Sequence, residues 1–331
     1  METKKISVIG SGSWATALVK ILCNNVDQVT WYIRKKEDID SIRKYNHNPK
    51  YLSSVEFDNN KLHLTDNVIE AIEASNIVIL AIPSAFCNNA IKDVPKEKWK
   101  GKIIFSAIKG IIPEYNLIVG EYLNKVFDVP LQNIGVITGP CHAEEVALEK
   151  LSYLTLACHD IANAETLAQL MRCRYIKVAT SDDIYGTEYS AVLKNVIAVA
   201  GGISHGLGYG DNFLSVLVSN AIQEIERFVN AVHPIDRDIK ASAYLGDLLV
   251  TAYSQFSRNR MFGTMLGKGY SVKMAQLEMN MIAEGYYAVK CVHEINKTYN
   301  VDMPITNAVY NIVYEKIAPS IEIKLLTEKL S

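Results

Sequence analysis

A lysine and an asparagine interrupt a long apolar run in the middle of the chain. Lys194 and Asn195 are the only strongly polar side chains between Ser190 and Gly202, and a glycine-rich stretch, 206–212, follows. An ammonium group and an amide on an apolar helix beside glycine-rich turns suggest an active site. The alternative is a lysine whose stem packs on the core while its head reaches water. The run alone leaves both interpretations open.

A carboxylate stands in a similar apolar run further along the chain. Asp247 lies among apolar residues of helical spacing, and a buried carboxylate needs a cationic partner. We therefore expect Lys194 and Asp247 to meet. Shortly after come Ser257, Arg258 and Asn259, whose hydroxyl, guanidinium and amide groups are suited to binding a phosphate. Surface charge is the alternative for Arg258.

A glycine-rich turn follows the first predicted strand. Residues 10–15 read Gly-Ser-Gly-Ser-Trp-Ala, and a helical run comes next. Gly10 permits the tight turn, Gly12 lets the backbone approach a pyrophosphate, and Ala15 allows close packing of helix on strand. The helix N-terminus presents N–H groups to the phosphates. The strand–turn–helix context favours a dinucleotide site over a turn without a ligand.

Basic residues mark the end of the second predicted strand. Arg34, Lys35 and Lys36 stand where an NAD-specific site usually has an acidic residue for the ribose 2′-hydroxyl. This favours binding of a 2′-phosphate and hence NADP(H), alone or beside NAD(H). A solvated charge run is the alternative.

Two further strand ends carry candidate substrate groups. In open α/β sheets ligands bind beyond the carboxyl ends of the strands. Lys109 lies just past one apolar strand and before a glycine, so its ammonium can reach that edge. Gly139 and Pro140 follow another strand as a turn that exposes backbone N–H groups. Lysines and an arginine near a dinucleotide indicate an anionic substrate that bears a carbonyl group.

Composition limits the classes of protein that fit. The chain has 331 residues, of which 49% are apolar and 21% charged, so about two globular domains are expected. A net charge of −2 argues against a nucleic-acid partner held by bulk electrostatics. Six scattered cysteines without a C-x-x-C pair predict neither a metal site nor disulfides, as in a cytoplasmic protein. No apolar stretch reaches about 18 residues, so stable membrane insertion is not expected.

The order of the predicted elements indicates two domains. Apolar strands alternate with helices up to residue 181, and long helical periods follow. We predict an α/β fold: a Rossmann-like, doubly wound, mostly parallel sheet in residues 1–181, and an all-helical substrate and catalytic domain in residues 182–331. Strands are predicted at 6–9, 29–33, 77–82, 103–107, 134–138, 153–157 and 175–178. The main helices of the second half are predicted at 183–200, 213–232, 241–253, 282–299 and 306–314.

Residues 5–315 resemble the bacterial type of NAD(P)-dependent glycerol-3-phosphate dehydrogenase. The resemblance covers nearly the whole chain and is more specific than the glycine pattern, because separate motifs occur in the right order. These motifs are residues 10–15, 83–84, 109–110, 138–140 with Ala143 and Glu145, 193–198, 206–212, 246–251, 257–260 and 284–285.

The resemblance implies an activity and a role for each matching residue. The activity is the interconversion of sn-glycerol 3-phosphate and dihydroxyacetone phosphate with NAD(P)H, which supplies glycerol 3-phosphate for phospholipid synthesis. Lys194 would be the general acid/base, with Lys109 and Asp247 as further catalytic groups. The substrate pocket would comprise Lys109, Gly139, Cys141, Lys194, Asp247, Ser257, Arg258 and Asn259. The cofactor would be bound by Gly10, Gly12, Ser13, Trp14, Arg34, Lys109, Ala143, Arg258, Ile282 and Glu284.

The chain departs from the family pattern at several positions, and other functions remain open. Cys141 replaces a usual serine or threonine, His205 a usual acid, and Ser190 a usual glycine. The alternatives are a related dehydrogenase, such as ketopantoate reductase or 3-hydroxyacid dehydrogenase, and a module that senses dinucleotide without turnover. The phosphate-binding group at residues 257–259 argues for a phosphorylated small-molecule substrate, and the two lysines with Asp247 argue for turnover. From the apolar content of the helical half we expect enough apolar surface for a homodimer.

Overall fold

The chain divides into two units, each with an apolar core of its own. The computed structural model describes residues 4–279 and 282–331. The units comprise, respectively, residues up to Ile108 with Val119–Ile184, and Lys109–Ile118 with Tyr185–Ser331. The short segment Lys109–Ile118, which the sequence assigned to the first domain, therefore groups with the helices.

Runs of branched apolar residues form the strands. The strands are β1 (Ile6–Ile9), β2 (Val29–Tyr32), β3 (Leu62–Thr65), β4 (Ile77–Leu80), β5 (Ile103–Ser106), β6 (Ile111–Ile112), β7 (Leu117–Ile118), β8 (Ile134–Thr138), β9 (Ser152–Cys158) and β10 (Ile176–Ser181). Eight of them form one sheet in the order β10-β9-β8-β5-β4-β1-β2-β3. Neighbours in it are parallel except β8 and β9. The order reverses between β1 and β4, which is where doubly wound sheets bind ligands.

Helices cover the sheet, which explains why β1 and β4 are buried along their whole length. The helices of the first unit are α1 (Ser13–Leu22), α2 (Lys36–Tyr45), α3 (Val68–Glu73), α4 (Ser84–Ile91), α5 (Val119–Phe127), α6 (Ala143–Ala147) and α7 (Ile161–Met171). On the described residues, no helix is long and apolar enough to cross a membrane.

Helices and one small hairpin make up the second unit. The helices are α8 (Ile184–Gly206), α9 (Asp211–Val232), α10 (Asp247–Tyr253), α11 (Arg258–Gly267), α12 (Val272–Glu278), α13 (Glu284–Tyr299), α14 (Pro304–Val313) and α15 (Pro319–Thr327). A π-helical turn, Ser242–Gly246, leads into α10. The hairpin pairs β6 with β7, and its residues Ile111 and Ile118 belong to the core of this unit.

Glycines allow α8 and α11 to pack backbone against backbone. A Cβ atom on Gly202 would collide with the carbonyl of Arg260, and one on Gly263 would collide with the carbonyl of Val199. One turn further, Gly206 and Gly267 are in similarly close contact across the crossing. The close approach fixes α11 against the helix that carries Lys194.

The predicted fold class, a doubly wound sheet followed by an all-helical region, is confirmed. Strands β1 and β8 have the predicted bounds. The pattern missed β3, because Leu-His-Leu-Thr is not a continuous apolar run, and it missed the hairpin, because two-residue strands give little periodicity. The helix predicted at 241–253 begins instead with the π-helical turn.

Candidate active site

The buried middle of α8 holds the ammonium group of Lys194 beside a carboxylate. The side chain of Lys194 is 4% exposed and that of Asp247 is 1% exposed. Lys194 Nζ donates a hydrogen bond to Asp247 Oδ1. The expected meeting of these two residues is therefore confirmed. Asp247 opens α10, where the Thr251 hydroxyl donates to its carbonyl oxygen at 2.7 Å.

A second ammonium group lies on the other side of the same carboxylate. Lys109 Nζ is 3.7 Å from Asp247 Oδ2, and the lysine side chain is 21% exposed. That carboxylate oxygen makes no hydrogen bond to the part of the chain that the structure describes. One carboxylate between two ammonium groups leaves the cluster with a net positive charge when all three are ionised. Such a cluster suits an anionic substrate or a developing oxyanion.

Burial sets the acidity of Lys194. The surroundings together lower the pKa of Lys194 from 10.5 to about 7, and the largest cause is removal from water, which disfavours the charged form. Within that total the carboxylate of Asp247 raises the pKa and the ammonium of Lys109 lowers it. Because the lowering effects win, Lys194 can exchange a proton near neutral pH, as a general acid/base must.

A relay of amide hydrogen bonds ties the Lys109 backbone to three helices. Asn195 Nδ2 donates to the Lys109 carbonyl at 2.8 Å, and Asn259 Nδ2 donates to Asn195 Oδ1 at 2.9 Å. The backbone N–H of Gly285 then donates to Asn259 Oδ1 at 2.9 Å. The sequence singled out Asn195 beside Lys194 but gave it no role in binding or catalysis. Its place beside Lys194 was a signal, but its partner lies 86 residues away in the chain.

The candidate phosphate-binding residues lie at the start of α11. The hydroxyl of Ser257 accepts the Arg260 N–H at 3.3 Å and so caps the helix. Arg258, the first residue of α11, is partly exposed. Asn259 uses one of its two amide hydrogens in the relay, which leaves the other for a ligand. Ser257 and Asn259 therefore also stabilise the fold.

The turn after β1 can accommodate the pyrophosphate of a dinucleotide. Gly10 has φ +131°, and a Cβ atom there would collide with the carbonyl of Ala81 after β4. A Cβ on Gly12 would meet no atom within 4 Å. Gly12 is also the N-cap of α1, which has no side-chain cap. Open space before the first-turn N–H groups of Ser13 and Trp14 fits a phosphate group.

Two side chains that the sequence did not identify hold this turn. The indole of Trp31 donates to the Gly10 carbonyl at 2.7 Å. The Asn48 amide donates to the Ser11 carbonyl at 3.1 Å and to the Thr16 hydroxyl at 2.9 Å. Asn48 is buried although it stands in a polar stretch after α2, so composition gave no signal for it.

The other candidates in the first unit lie at strand ends. Arg34 is exposed in the connection between β2 and α2. Gly139 follows β8 with φ +108°, and a Cβ atom there would lie 2.8 Å from the Tyr153 carbonyl oxygen. Cys141 and Ala143 are buried in the apolar core of this unit. Cys141 therefore presents a packed thiol at the position where the resemblance implies a serine or threonine hydroxyl.

The predicted residues thus fall into separate groups. The structure brings Lys109, Lys194 and Asp247 into one cluster, and Asn259 is joined to it through Asn195. Ile282 precedes α13, and Glu284 is its first residue. Within residues 4–279 and 282–331, no three His, Cys, Asp or Glu residues are grouped so that they could hold a metal ion.

Comparison with known proteins gives one consistent family. The family models for the N-terminus and the C-terminus of NAD-dependent glycerol-3-phosphate dehydrogenase match residues 5–164 and 183–324. A glycerol-3-phosphate dehydrogenase [NAD(P)+] from Exiguobacterium sp. is 35% identical over 325 residues, covering 98% of this chain and 95% of the relative. One from Staphylococcus carnosus is 34% identical, covering 97% of each.

Solved structures agree with these relatives. The crystal structure of a glycerol-3-phosphate dehydrogenase from Coxiella burnetii has a TM-score of 0.91 and 27% identity, covering 98% of this chain and 99% of that one. A ketopantoate reductase from Ralstonia eutropha has a TM-score of 0.61 and 12% identity, which is a likeness of fold alone. The alternative dehydrogenases are therefore not favoured.

Proposed function

The chain belongs to the NAD-dependent glycerol-3-phosphate dehydrogenase family, and on this premise we propose that it interconverts dihydroxyacetone phosphate and sn-glycerol 3-phosphate. The observation that carries the proposal is the buried cluster of Lys194, Asp247 and Lys109. The test compares NADPH oxidation with dihydroxyacetone phosphate, ketopantoate and an acetoacetyl thioester. Faster oxidation with either of the last two would overturn the substrate assignment.

In the proposed mechanism Lys194 is the general acid/base. A nicotinamide cofactor, when bound, would supply or accept the hydride at C2 of the substrate. During reduction the proton on Lys194 Nζ goes to the carbonyl oxygen, which leaves a neutral amine, and oxidation reverses the transfer. Lys109 stabilises the negative charge that develops on this oxygen. Asp247 holds the lysine side chains in place.

The binding roles are proposed from the negative charges of the substrate phosphate and of the phosphate groups of the cofactor. Arg258 and Asn259 bind the substrate phosphate, with Ser257 holding the start of their helix. Gly10, Gly12, Ser13 and Trp14 bind the pyrophosphate, and Arg34 binds a ribose 2′-phosphate. The family resemblance adds Gly139 and Cys141 for the substrate, and Lys109, Ala143, Arg258, Ile282 and Glu284 for the cofactor.

The rate should depend on pH in opposite directions for the two reactions. Because reduction needs protonated Lys194, its kcat is expected to fall as pH rises through about 7. Oxidation needs the neutral amine, so its kcat should rise over the same interval. Asp247→Asn removes the group that raises the pKa of Lys194, so it should shift the pH dependence of kcat to lower pH for both reactions. Asp236→Asn, at an exposed position, is the control. An unshifted pH dependence in Asp247→Asn would contradict the effect of Asp247 on Lys194.

Arg34 should control the choice between the two cofactors. Arg34→Asp is expected to raise the KM for NADPH much more than that for NADH, because the carboxylate repels a 2′-phosphate. Steady-state kinetics with each cofactor measures this. Lys44→Asp makes the same charge change on an exposed position at the other end of α2 and should leave the ratio of the two KM values unchanged. Equal increases for both cofactors in Arg34→Asp would refute the assignment.

Assembly, location and physiological role complete the proposal. A homodimer is supported by exposed apolar side chains on α10 and around the start of α11, namely Leu249, Tyr253, Phe256 and Met261. A monomer in sedimentation at micromolar concentration would exclude the homodimer.

The scattered cysteines support a cytoplasmic location, and the product suits the supply of glycerol 3-phosphate for phospholipid synthesis. Cell fractionation and growth of a deletion strain with and without glycerol test these two points.

A further inference from the structure

A buried hydroxyl in α8 has no hydrogen-bond partner in the described structure. Ser190 is 2% exposed, and its Oγ makes no hydrogen bond to residues 4–279 or 282–331. Ser204, in the same helix and also 2% exposed, donates to the Ala200 carbonyl at 2.9 Å. A buried hydroxyl without a partner is unfavourable and rare in native structures. The hydroxyl of Ser190 therefore calls for a functional explanation.

Ser190 stands one helical turn before Lys194. Residues four apart lie on the same face of a helix, with Cβ atoms about 5–6 Å apart. Long side chains on a helix point back toward its N-terminus, so the stem of Lys194 runs over the turn that contains Ser190. The hydrogen bond to Asp247 uses one of the three N–H bonds of the Lys194 ammonium. The hydroxyl thus lies on the face of α8 along which the Lys194 side chain runs.

The proposed reaction changes what Lys194 needs from its neighbours. Once the proton has gone to the substrate, Lys194 is a neutral amine whose lone pair can accept a hydrogen bond. The carboxylate of Asp247 can only accept, and the Lys109 ammonium, 3.7 Å from the other carboxylate oxygen, is the donor that faces the substrate oxygen in the proposed mechanism. A serine hydroxyl can donate to a neutral amine, so Ser190 can supply the donor that the carboxylate cannot.

We propose that Ser190 is a positioning residue of the reaction. Its hydroxyl donates a hydrogen bond to Lys194 Nζ when the amine forms, and holds the amine until it takes a proton from water. No bond to the serine oxygen forms or breaks. The proposal rests on the proposed function, because it needs Lys194 to be the proton donor.

The test compares two buried serines of one helix. Ser190→Ala is expected to lower kcat for dihydroxyacetone phosphate reduction about 5-fold, the worth of one hydrogen bond, and to leave the KM for NADPH unchanged. Its solvent deuterium isotope effect on kcat should rise, because proton transfer becomes slower. Ser190→Cys, similar in volume but a weak hydrogen-bonding group, should behave like the alanine variant. Ser204→Ala is the control and should keep the wild-type kcat and isotope effect.

Two results would overturn the role of Ser190, namely a wild-type kcat in folded Ser190→Ala and a wild-type kcat in Ser190→Cys. If Ser190→Ala also had a higher melting temperature, the hydroxyl would be one that never finds a partner. Failure of the proposed function is distinguishable from these results. In that case the wild-type protein would not reduce dihydroxyacetone phosphate, or Lys194→Ala would keep near-normal turnover.

Discussion

Lys194→Ala is expected to lower kcat for dihydroxyacetone phosphate reduction by a factor of about 10²–10⁴, the usual worth of a positioned proton donor. The neighbouring Asp247 cannot take its place, because an ionised carboxylate is only an acceptor. NADPH binding, followed by the change in its fluorescence, should survive. Near-normal turnover in this variant would refute the role of Lys194.

The loss must be separated from damage to the fold. Removing Lys194 leaves Asp247 buried with one cation at 3.7 Å, and breaking a buried pair costs about 3–5 kcal/mol. The double variant Lys194→Met with Asp247→Asn removes both charges together, so it should fold better than either single variant and remain inactive. Lys268→Ala, at an exposed position after α11, should keep full activity.

Gly263→Ala is expected to destabilise the second unit although alanine favours helices. Alanine is better than glycine in a helix interior by about 1 kcal/mol. At Gly263, however, the added methyl group collides with the Val199 carbonyl at the crossing of α8 and α11. Overpacking of this kind costs about 1–3 kcal/mol or more. We expect a melting temperature lower by ~5 °C and a lower kcat, because Asn259 lies on the displaced helix.

Gly201→Ala is the matched control for that prediction. Gly201 lies on α8 beside the crossing, but a Cβ atom there meets only the end of the flexible Leu214 side chain at 3.2 Å. The control should therefore keep or raise the melting temperature. An equal loss of stability in both variants would show that helix backbone effects, and not the crossing, determine the result.

Local sequence patterns were enough to predict the glycine turn after the first strand and the pair formed by Lys194 and Asp247. The turn at Gly10 could be predicted because a strand, a glycine pattern and a helix follow one another within 20 residues. The pairing of Lys194 with Asp247 followed from the rule that buried charges need partners. Both predictions use properties that each segment carries by itself.

Long-range contacts could not be predicted in this way. The sequence singled out Asn195 but not its bond to the Lys109 carbonyl, because nothing local indicates that the segment Lys109–Ile118 groups with the helices. The support of the glycine turn by Asn48 depends on a loop whose composition is that of any exposed loop. The antiparallel pairing of β8 and β9 likewise depends on the path of the chain and not on the strands themselves.

The most direct test of the account is a single reaction with purified wild-type protein. Dihydroxyacetone phosphate and NADPH are supplied near pH 7, and NADPH oxidation is followed together with the formation of sn-glycerol 3-phosphate. We expect one sn-glycerol 3-phosphate for each NADPH oxidised and loss of the reaction in Lys194→Ala. Measurable NADPH binding without formation of sn-glycerol 3-phosphate would contradict it and would favour a protein that senses dinucleotide without turnover.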